Sequence, residues 1–283
     1  MFHPEKCSLR AVILSTLCIV LALALMTCNS GDEEIVEKPN TEELGTCLPV
    51  QISVYKGVDS VAILYNDTNR LTEMQFFGTG SNIRARCVMT YADDKLATFT
   101  KLYPTKEGVE VVFQTYTFAY NTHGKPSTVT VDYGDGNSAE IITYAYDERD
   151  RLINREFKSH GNLTLNVRYE YSGNNVSKTF LTRGRGATEI LSEELLSFDS
   201  HSRFFSGSAD LTLVLIYILN WDPSLNNLRA EKIYATVNDN YAPPLDVHYD
   251  MTYDDHGYVQ SLTDNDSYHD YTLNFRQVVY KCE

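Results

Sequence analysis

From residue 47 onward the chain alternates between apolar and polar positions. Val167, Tyr169 and Tyr171 fall on one side of a two-residue period, and Asn166, Arg168 and Glu170 on the other. Tyr249, Met251 and Tyr253 oppose His248, Asp250 and Thr252 in the same way, as Val129, Val131 and Tyr133 oppose Thr128, Thr130 and Asp132. Such a period with one apolar face marks a half-buried strand, because successive side chains point to opposite faces of a sheet. Between these runs stand Asp, Asn and Gly clusters, such as Tyr133-Gly134-Asp135-Gly136-Asn137, which favour hairpin turns.

The turn segments align with one another. Units begin at Tyr65, Tyr91, Tyr120, Tyr146, Tyr171, Phe198, Trp221 and Tyr253, at intervals of about 27 residues, and a period this regular marks a repeat architecture. Each unit is long enough for two antiparallel strands. The expectation is an all-β fold: a long antiparallel meander of about 16 strands from eight repeats. An open sheet of that length curls, and its Tyr-lined face needs cover, so the meander closes into a barrel or half-barrel. One stretch departs from the pattern. Leu211 to Leu219 is apolar at nearly every position, which reads as a strand covered on both sides or, as the alternative, an exposed strip that binds something. Glu189 to Leu196 is the one short helical candidate.

The front of the chain is different. Lys6 and Arg10 precede the apolar run Ala11 to Met26, shorter than the about 20 residues of a spanning helix and suited to a signal-peptide core. The run ends in Leu25-Met26-Thr27-Cys28, which resembles the lipobox of bacterial lipoproteins, with Cys28 as the lipid attachment site. Asn29-Ser30-Gly31-Asp32-Glu33-Glu34 resembles the acidic signal that sends Bacteroidetes lipoproteins to the cell surface. Few apolar residues follow up to Thr46, so this segment reads as a solvated tether. The expected organisation is a signal peptide (1–27), an acidic tether (28–46) and a single repeat β domain (47–283).

Tyr146-Asp147-Glu148-Arg149-Asp150-Arg151-Leu152 is the clearest turn, and a Tyr-Asp turn followed by Arg-Leu or Lys-Leu resembles the YD (Rhs-like) repeat. Together with the signal, the chain resembles a Bacteroidetes surface lipoprotein family of unknown function with a porin-like fold. That resemblance covers roughly Leu48 to the end and implies a barrel-like fold, with no catalytic residues attached to it. Asn69 and Asp150 stand where the repeat usually has Gly, a departure from its pattern.

Composition narrows the function. The chain carries 20 Tyr and 12 Phe against one Trp, and a formal net charge of −14. That acidity disfavours nucleic acid and anionic lipid surfaces as partners. Once a signal peptide leaves and Cys28 is acylated, Cys47, Cys87 and Cys282 remain, an odd number. Cys87 lies on the face of Ala85, Met89 and Tyr91 and reads as a buried thiol; Cys47 and Cys282 flank the domain and form a candidate disulfide if the two ends meet.

No residue set commits the chain to a reaction, so no catalytic residue, metal ligand or cofactor is assigned. His123, His201 and His256 occupy one turn position in three units, which repeated turn chemistry explains without a metal. Asp132 to Asn137 lacks the ligand spacing of a calcium loop, and Ser53-Val54-Tyr55-Lys56 lacks the companions of a Ser-x-x-Lys enzyme. Carboxylate pairs such as Asp93-Asp94 and Asp254-Asp255 sit in turns. Most Tyr residues share the apolar strand face, so packing is their first expected role. The leading expectation is a lipid-anchored binding or structural protein at the outer membrane, facing the exterior, whose ligand is a glycan, a peptide or an envelope partner. The rivals are a glycan-active hydrolase using turn carboxylates at the sheet rim, and an outer-membrane barrel. The terminal Tyr280-Lys281-Cys282-Glu283 does not match the aromatic end usual in spanning barrels.

Overall fold

The structure is a computed structural model that describes residues 47–54, 60–78, 82–134, 139–203, 205–219, 221–234, 244–264 and 275–282. The signal and tether segments, Cys28 included, lie outside the described residues, as do Lys56 and residues 135–138. The strands in chain order are β1 (Cys47–Val54), β2 (Ser60–Tyr65), β3 (Leu71–Phe77), β4 (Ile83–Ala92), β5 (Lys95–Pro104), β6 (Glu110–Tyr120), β7 (Pro126–Tyr133) and β8 (Ala139–Tyr146). They continue as β9 (Leu152–Ser159), β10 (Asn162–Ser172), β11 (Asn175–Arg183), β12 (Ile190–Ser202), β13 (Asn226–Ile233), β14 (Leu245–Tyr253), β15 (Val259–Asp264) and β16 (Phe275–Cys282). Each pairs antiparallel with its sequence neighbours, and β1 pairs with β16, so the meander is a closed barrel of sixteen strands. Closure removes the two free edges that an open meander would expose.

The ends of the domain meet in register. Cys47 faces Cys282 across the β1–β16 pair, with Cα atoms 4.0 Å apart, and the two are disulfide-bonded. Cys87 is a free thiol, 2% exposed, and burial pushes its pKa up to about 12.

Alternation divides the barrel into an apolar inside and a polar outside. Leu71, Leu96, Val129, Val176 and Val259 are almost wholly buried and belong to one core. The outward residues of the same strands carry charges in pairs. Arg86 bridges Glu73 and Glu110, Arg168 bridges Glu170 and Glu189, and Lys158 meets Glu156. Thr90 faces Thr98, and Thr252 faces Ser261, through hydroxyl hydrogen bonds of 2.7 and 2.6 Å. A lipid-spanning barrel turns an apolar band outward and a polar face inward. Here the polarity is reversed.

Two segments differ from the sequence expectation. Leu211 to Leu219 does not form a strand. Ala209–Tyr217 is a helix, α1, and Leu211, Val214 and Leu215 on it are buried in the barrel core. Thr212, Leu213, Ile216 and Tyr217 are only partly buried, so one face of the apolar helix meets the core while another stays partly open. Glu189 to Leu196, expected as a short helix, enters strand β12 instead, where Glu193 and Glu194 are paired with Ile233 and Lys232 of β13. The unit read at Trp221 is not a strand end either. It lies within the β12–β13 connection that carries α1, so that hairpin closes from Phe198 to Leu228 around an insertion.

Candidate functional site

The aromatic turns gather at one rim of the barrel, and each element of the turn has a task. The Asp or Asn after the Tyr uses one side-chain oxygen to accept two backbone N–H groups. Asn66, Asn121, Asp147 and Asp254 each accept from residues two and four further on, at 2.9–3.0 Å. Short acceptor side chains do this because they reach their own backbone without strain. The fourth turn residue has positive φ: Gly124 at 75°, Asn69 and Asp150 each at 59°, all three before a basic residue, and Gly257 at 79° before Tyr258. Asn and Asp tolerate this left-handed region, so the missing Gly leaves the turn intact. Asp93 and Asp94 both have positive φ, as a tight two-residue hairpin needs.

Each Tyr hydroxyl then ties its hairpin to the preceding one. Tyr65, Tyr91, Tyr120, Tyr146, Tyr171 and Tyr280 donate to the main-chain oxygens of Pro49, Leu71, Leu96, Pro126, Leu152 and Val259, at 2.5–3.2 Å. The basic turn residue lies over the Tyr ring of the next hairpin in three cases: Arg70 over Tyr91 at 4.1 Å, Lys95 over Tyr120 at 5.3 Å and Arg151 over Tyr171 at 4.4 Å. The ladder is broken at the α1 insertion. Phe198 has no hydroxyl, and Tyr253 donates to Asp199 instead of to a carbonyl. The Tyr-rich face is therefore packing and cross-linking.

Helix α1 crosses the barrel at this rim. Ser208 caps its start by accepting from Leu211 N–H. Asp210 in the first turn meets the β3–β4 wall, accepting from Arg70 Nε at 2.8 Å, Tyr91 hydroxyl at 3.0 Å and Leu71 N–H at 3.3 Å. The far end meets the β8–β9 wall. Tyr144 donates to the Tyr217 carbonyl at 3.0 Å, and Arg155 donates from its two Nη atoms to the Ile216 and Trp221 carbonyls, each at 2.9 Å. Arg155 is 1% exposed, so a buried cation satisfies the Ile216 carbonyl in the last turn of α1, a favourable pairing with the helix dipole, and also the Trp221 carbonyl just beyond it.

Below α1 the barrel interior holds a cavity of about 210 Å³ lined by Arg155, Tyr169, Thr179, Ser192, Glu193 and Asp222 among apolar walls. Burial raises the Glu193 pKa above the usual carboxylate value. Burial also raises Glu231, to about 7, with repulsion from Glu193 and Asp222 adding to it while the Tyr249 hydroxyl opposes. Asp222 goes the other way. Burial works against its ionisation, but the Arg203 guanidinium and Ser224 hold it below the usual range.

Above α1 a groove of about 640 Å³ opens between the helix and the turns of β6–β7, β8–β9 and β10–β11. Leu213, Ile216 and Tyr217 form its helix side; Lys125, Asp150, Arg151 and Asn174 stand on the rim side. Val109, Val111, Val112 and Phe113, at the opposite end of the barrel, are exposed apolar residues.

The histidines of the turns do not converge. His123 Nδ1 lies 3.1 Å from Asp150 Oδ1, His201 stacks on Tyr253 at 4.2 Å, and no group of metal-ligating residues occurs among the described residues. Several turn acids are occupied. Asp147 caps its own turn and pairs with Arg151, and Asp199 accepts from His201 N–H, Asn227 and Tyr253. Sequence reasoning missed Arg155, Glu193, Asp210 and Glu231, whose roles depend on where α1 lands; the Ser208-x-Asp210 start ahead of a Leu-rich run was the available sign of a helix.

These observations define a closed antiparallel barrel with polar outer faces, an internal helix and a rim of hydrogen-bonded aromatic turns. Its fold is similar to that of a porin-like protein from Bacteroides uniformis ATCC 8492, at 17% identity over 84% of this chain and 98% of that one, with a TM-score of 0.50. A porin-like protein from Bacteroides vulgatus ATCC 8482 aligns at 7% identity over 83% of this chain and 98% of that one, with a TM-score of 0.36. The Tc holotoxin pore of Photorhabdus luminescens aligns at 15% identity over 76% of this chain but 9% of the toxin chain, with a TM-score of 0.32. No family model matches the sequence, and no curated protein matches it.

Proposed function

We propose that this chain is a lipid-anchored protein of an outer-membrane surface, whose barrel stands in water and serves as a binding or structural module. The observation that carries this reading is the reversed polarity of the strands: ion pairs such as Arg168 with Glu170 and Glu189 face outward while Val167 and Tyr169 face the core. A lumen crossed by α1 and filled with side chains is poorly suited to conduct solutes. Attachment would then fall to Cys28 and its acyl chains rather than to the strands, with the acidic residues after it directing export to the exterior. Cys47, the first described residue, lies at the aromatic rim, since Tyr65 reaches Pro49 there and Cys47 is bonded to Cys282.

Binding is favoured over hydrolysis because the clearest turn carboxylates, Asp147 and Asp254, are spent as turn caps, and Asp147 also as an ion pair. The groove beside α1 is of ligand size and is the place on the rim where a ligand would sit. A glycan, a peptide or an envelope partner is the ligand class carried by the surface reading. The test is fractionation of a bacteroidete expressing the full chain and its Cys28→Ala variant. The wild type should be membrane-bound and protease-accessible on whole cells, and the variant should be released into the soluble fraction. A variant that stays in carbonate-washed membranes would show that the strands themselves hold the bilayer, and the proposal would fail.

A further inference from the structure

The cavity below α1 is closed toward the aromatic rim by Arg155 and the helix end that it holds, and its walls come from β9 to β12. Polar groups stand at the closed end, where Arg155, Tyr169, Thr179 and Ser192 are all buried. Farther along the same strands, away from the rim, the wall becomes apolar, and Phe157, Leu165 and Leu181 are only partly buried. Thr179 is the informative member. It is 6% exposed, yet its hydroxyl makes no hydrogen bond of ordinary geometry among the described residues, although the Glu193 carboxyl stands near enough to feel it. A buried hydroxyl without a partner costs stability, and folded proteins leave few of them. Facing a cavity, it is a group that a ligand would satisfy.

The charges of the lining disfavour ions of either sign. Arg155 spends its two Nη atoms on carbonyls and keeps its positive charge, which opposes a cation. Glu193 and Asp222 share the lining, with Asp222 held ionised by Arg203, so an anion would meet carboxylates. Either ion would be desolvated beside a like charge. A neutral ligand avoids that cost. Hydroxyl groups suit the wall because each both donates and accepts, as the hydroxyls of Tyr169, Thr179 and Ser192 do. A cavity of about 150 Å³ admits a benzene ring, so one of about 210 Å³ has room for a single substituted six-membered ring. We propose that the cavity binds a neutral sugar ring, its hydroxyls on Thr179 and Ser192 at the closed end and its apolar face or aglycone against Leu165 and Leu181. This rests on the binding half of the reading above, selects the glycan among its ligand classes and adds a second place for it, inside the barrel.

The test is calorimetric titration of the Cys28→Ala chain with the phenyl β-glycosides of glucose, galactose, mannose and N-acetylglucosamine. Phenyl β-glucuronide and phenyl β-glucosaminide serve as the anionic and cationic counterparts. At least one neutral glycoside should bind saturably, and both charged ones about tenfold more weakly. Thr179→Val keeps the shape of the side chain and removes its hydroxyl, so it should weaken binding about tenfold, and Thr179→Ser should retain it. Lys125→Glu, in the rim groove, should change nothing. Should Thr179→Val misfold by circular dichroism, the charged and neutral glycosides on the unaltered barrel still decide the matter. No saturable heat from any neutral glycoside overturns the proposal. So does equal or tighter binding of either charged glycoside, or full binding by a folded Thr179→Val. A response lost in Lys125→Glu and kept in Thr179→Val would move the sugar to the rim groove and overturn it too. Retention of the Cys28→Ala chain in membranes sinks the anchored reading alone, because Thr179→Val is set against its parent in the same preparation. A soluble chain that binds none of the sugars removes this site and leaves the anchor standing.

Discussion

At the scale of single residues, the turn chemistry follows from side-chain reach. Asp147 and Asn66 are at their positions because one carboxyl or amide oxygen satisfies two backbone N–H groups, and Asn69 and Asp150 replace Gly because they tolerate φ near 59°. All of this was legible in the sequence as turn composition. Glu231 was not, since nothing local distinguishes it from Glu194 on the outer face. Its carboxyl is buried and titrates near 7, well above the 4.5 of a free Glu. A carboxyl with a raised folded pKa binds more protons folded than unfolded, so its contribution to stability is greatest below 4.5 and declines as pH rises toward about 7. Urea midpoints at pH 5 and pH 8 should therefore fall less with rising pH in Glu231→Gln than in the wild type. A parallel fall in both proteins would show that Glu231 ionises freely in the fold.

At the scale of elements, the strands were readable from their two-residue period and the helix was not. An apolar run without polar punctuation carries no period, so Leu211 to Leu219 fits a covered strand or a buried helix equally well. What settles it is the space inside the barrel and the groups waiting at both walls: Asp210 finds Arg70, Leu71 and Tyr91, and the C-terminal carbonyls find Arg155. Removing that buried cation leaves two carbonyls without their donor and leaves Glu193 without its opposing charge. Arg155→Met should therefore cost about 3 kcal/mol in chemical denaturation. Hydrogen exchange should show the 209–217 amides opening while strand amides on β4 to β7 stay protected. Unchanged protection of α1 in that variant would mean the arginine is not what holds it.

At the scale of the whole molecule, closure is the central property. The β1–β16 pair joins residues at opposite ends of the domain, a contact that chain entropy opposes until the rest of the meander is in place. The Cys47–Cys282 bond spans a sequence separation of 235 and acts on the unfolded chain by restricting it. Cys47→Ser should lower stability by about 2–5 kcal/mol. The same loss should follow reduction of the wild type and be absent when Cys47→Ser is reduced. Equal stability of the oxidised and reduced wild type would locate the closing energy entirely in strand pairing and core packing.

The sequence by itself determined the meander of about sixteen strands, most of the turn positions and the inward face of the strands with a clear two-residue period, because these are set by neighbours two to six residues apart; the Trp221 unit and the start of β12 were exceptions. Only the tertiary structure decided that Leu211 to Leu219 becomes a helix inside the barrel, that Arg155 and Glu231 are buried, and that a groove forms beside Lys125. Those outcomes depend on which walls the closed sheet brings together, and residues as far apart as Arg70 and Asp210 have no local signal of their meeting. A period fixes the face a side chain takes; the space within the closed barrel fixes what it meets there.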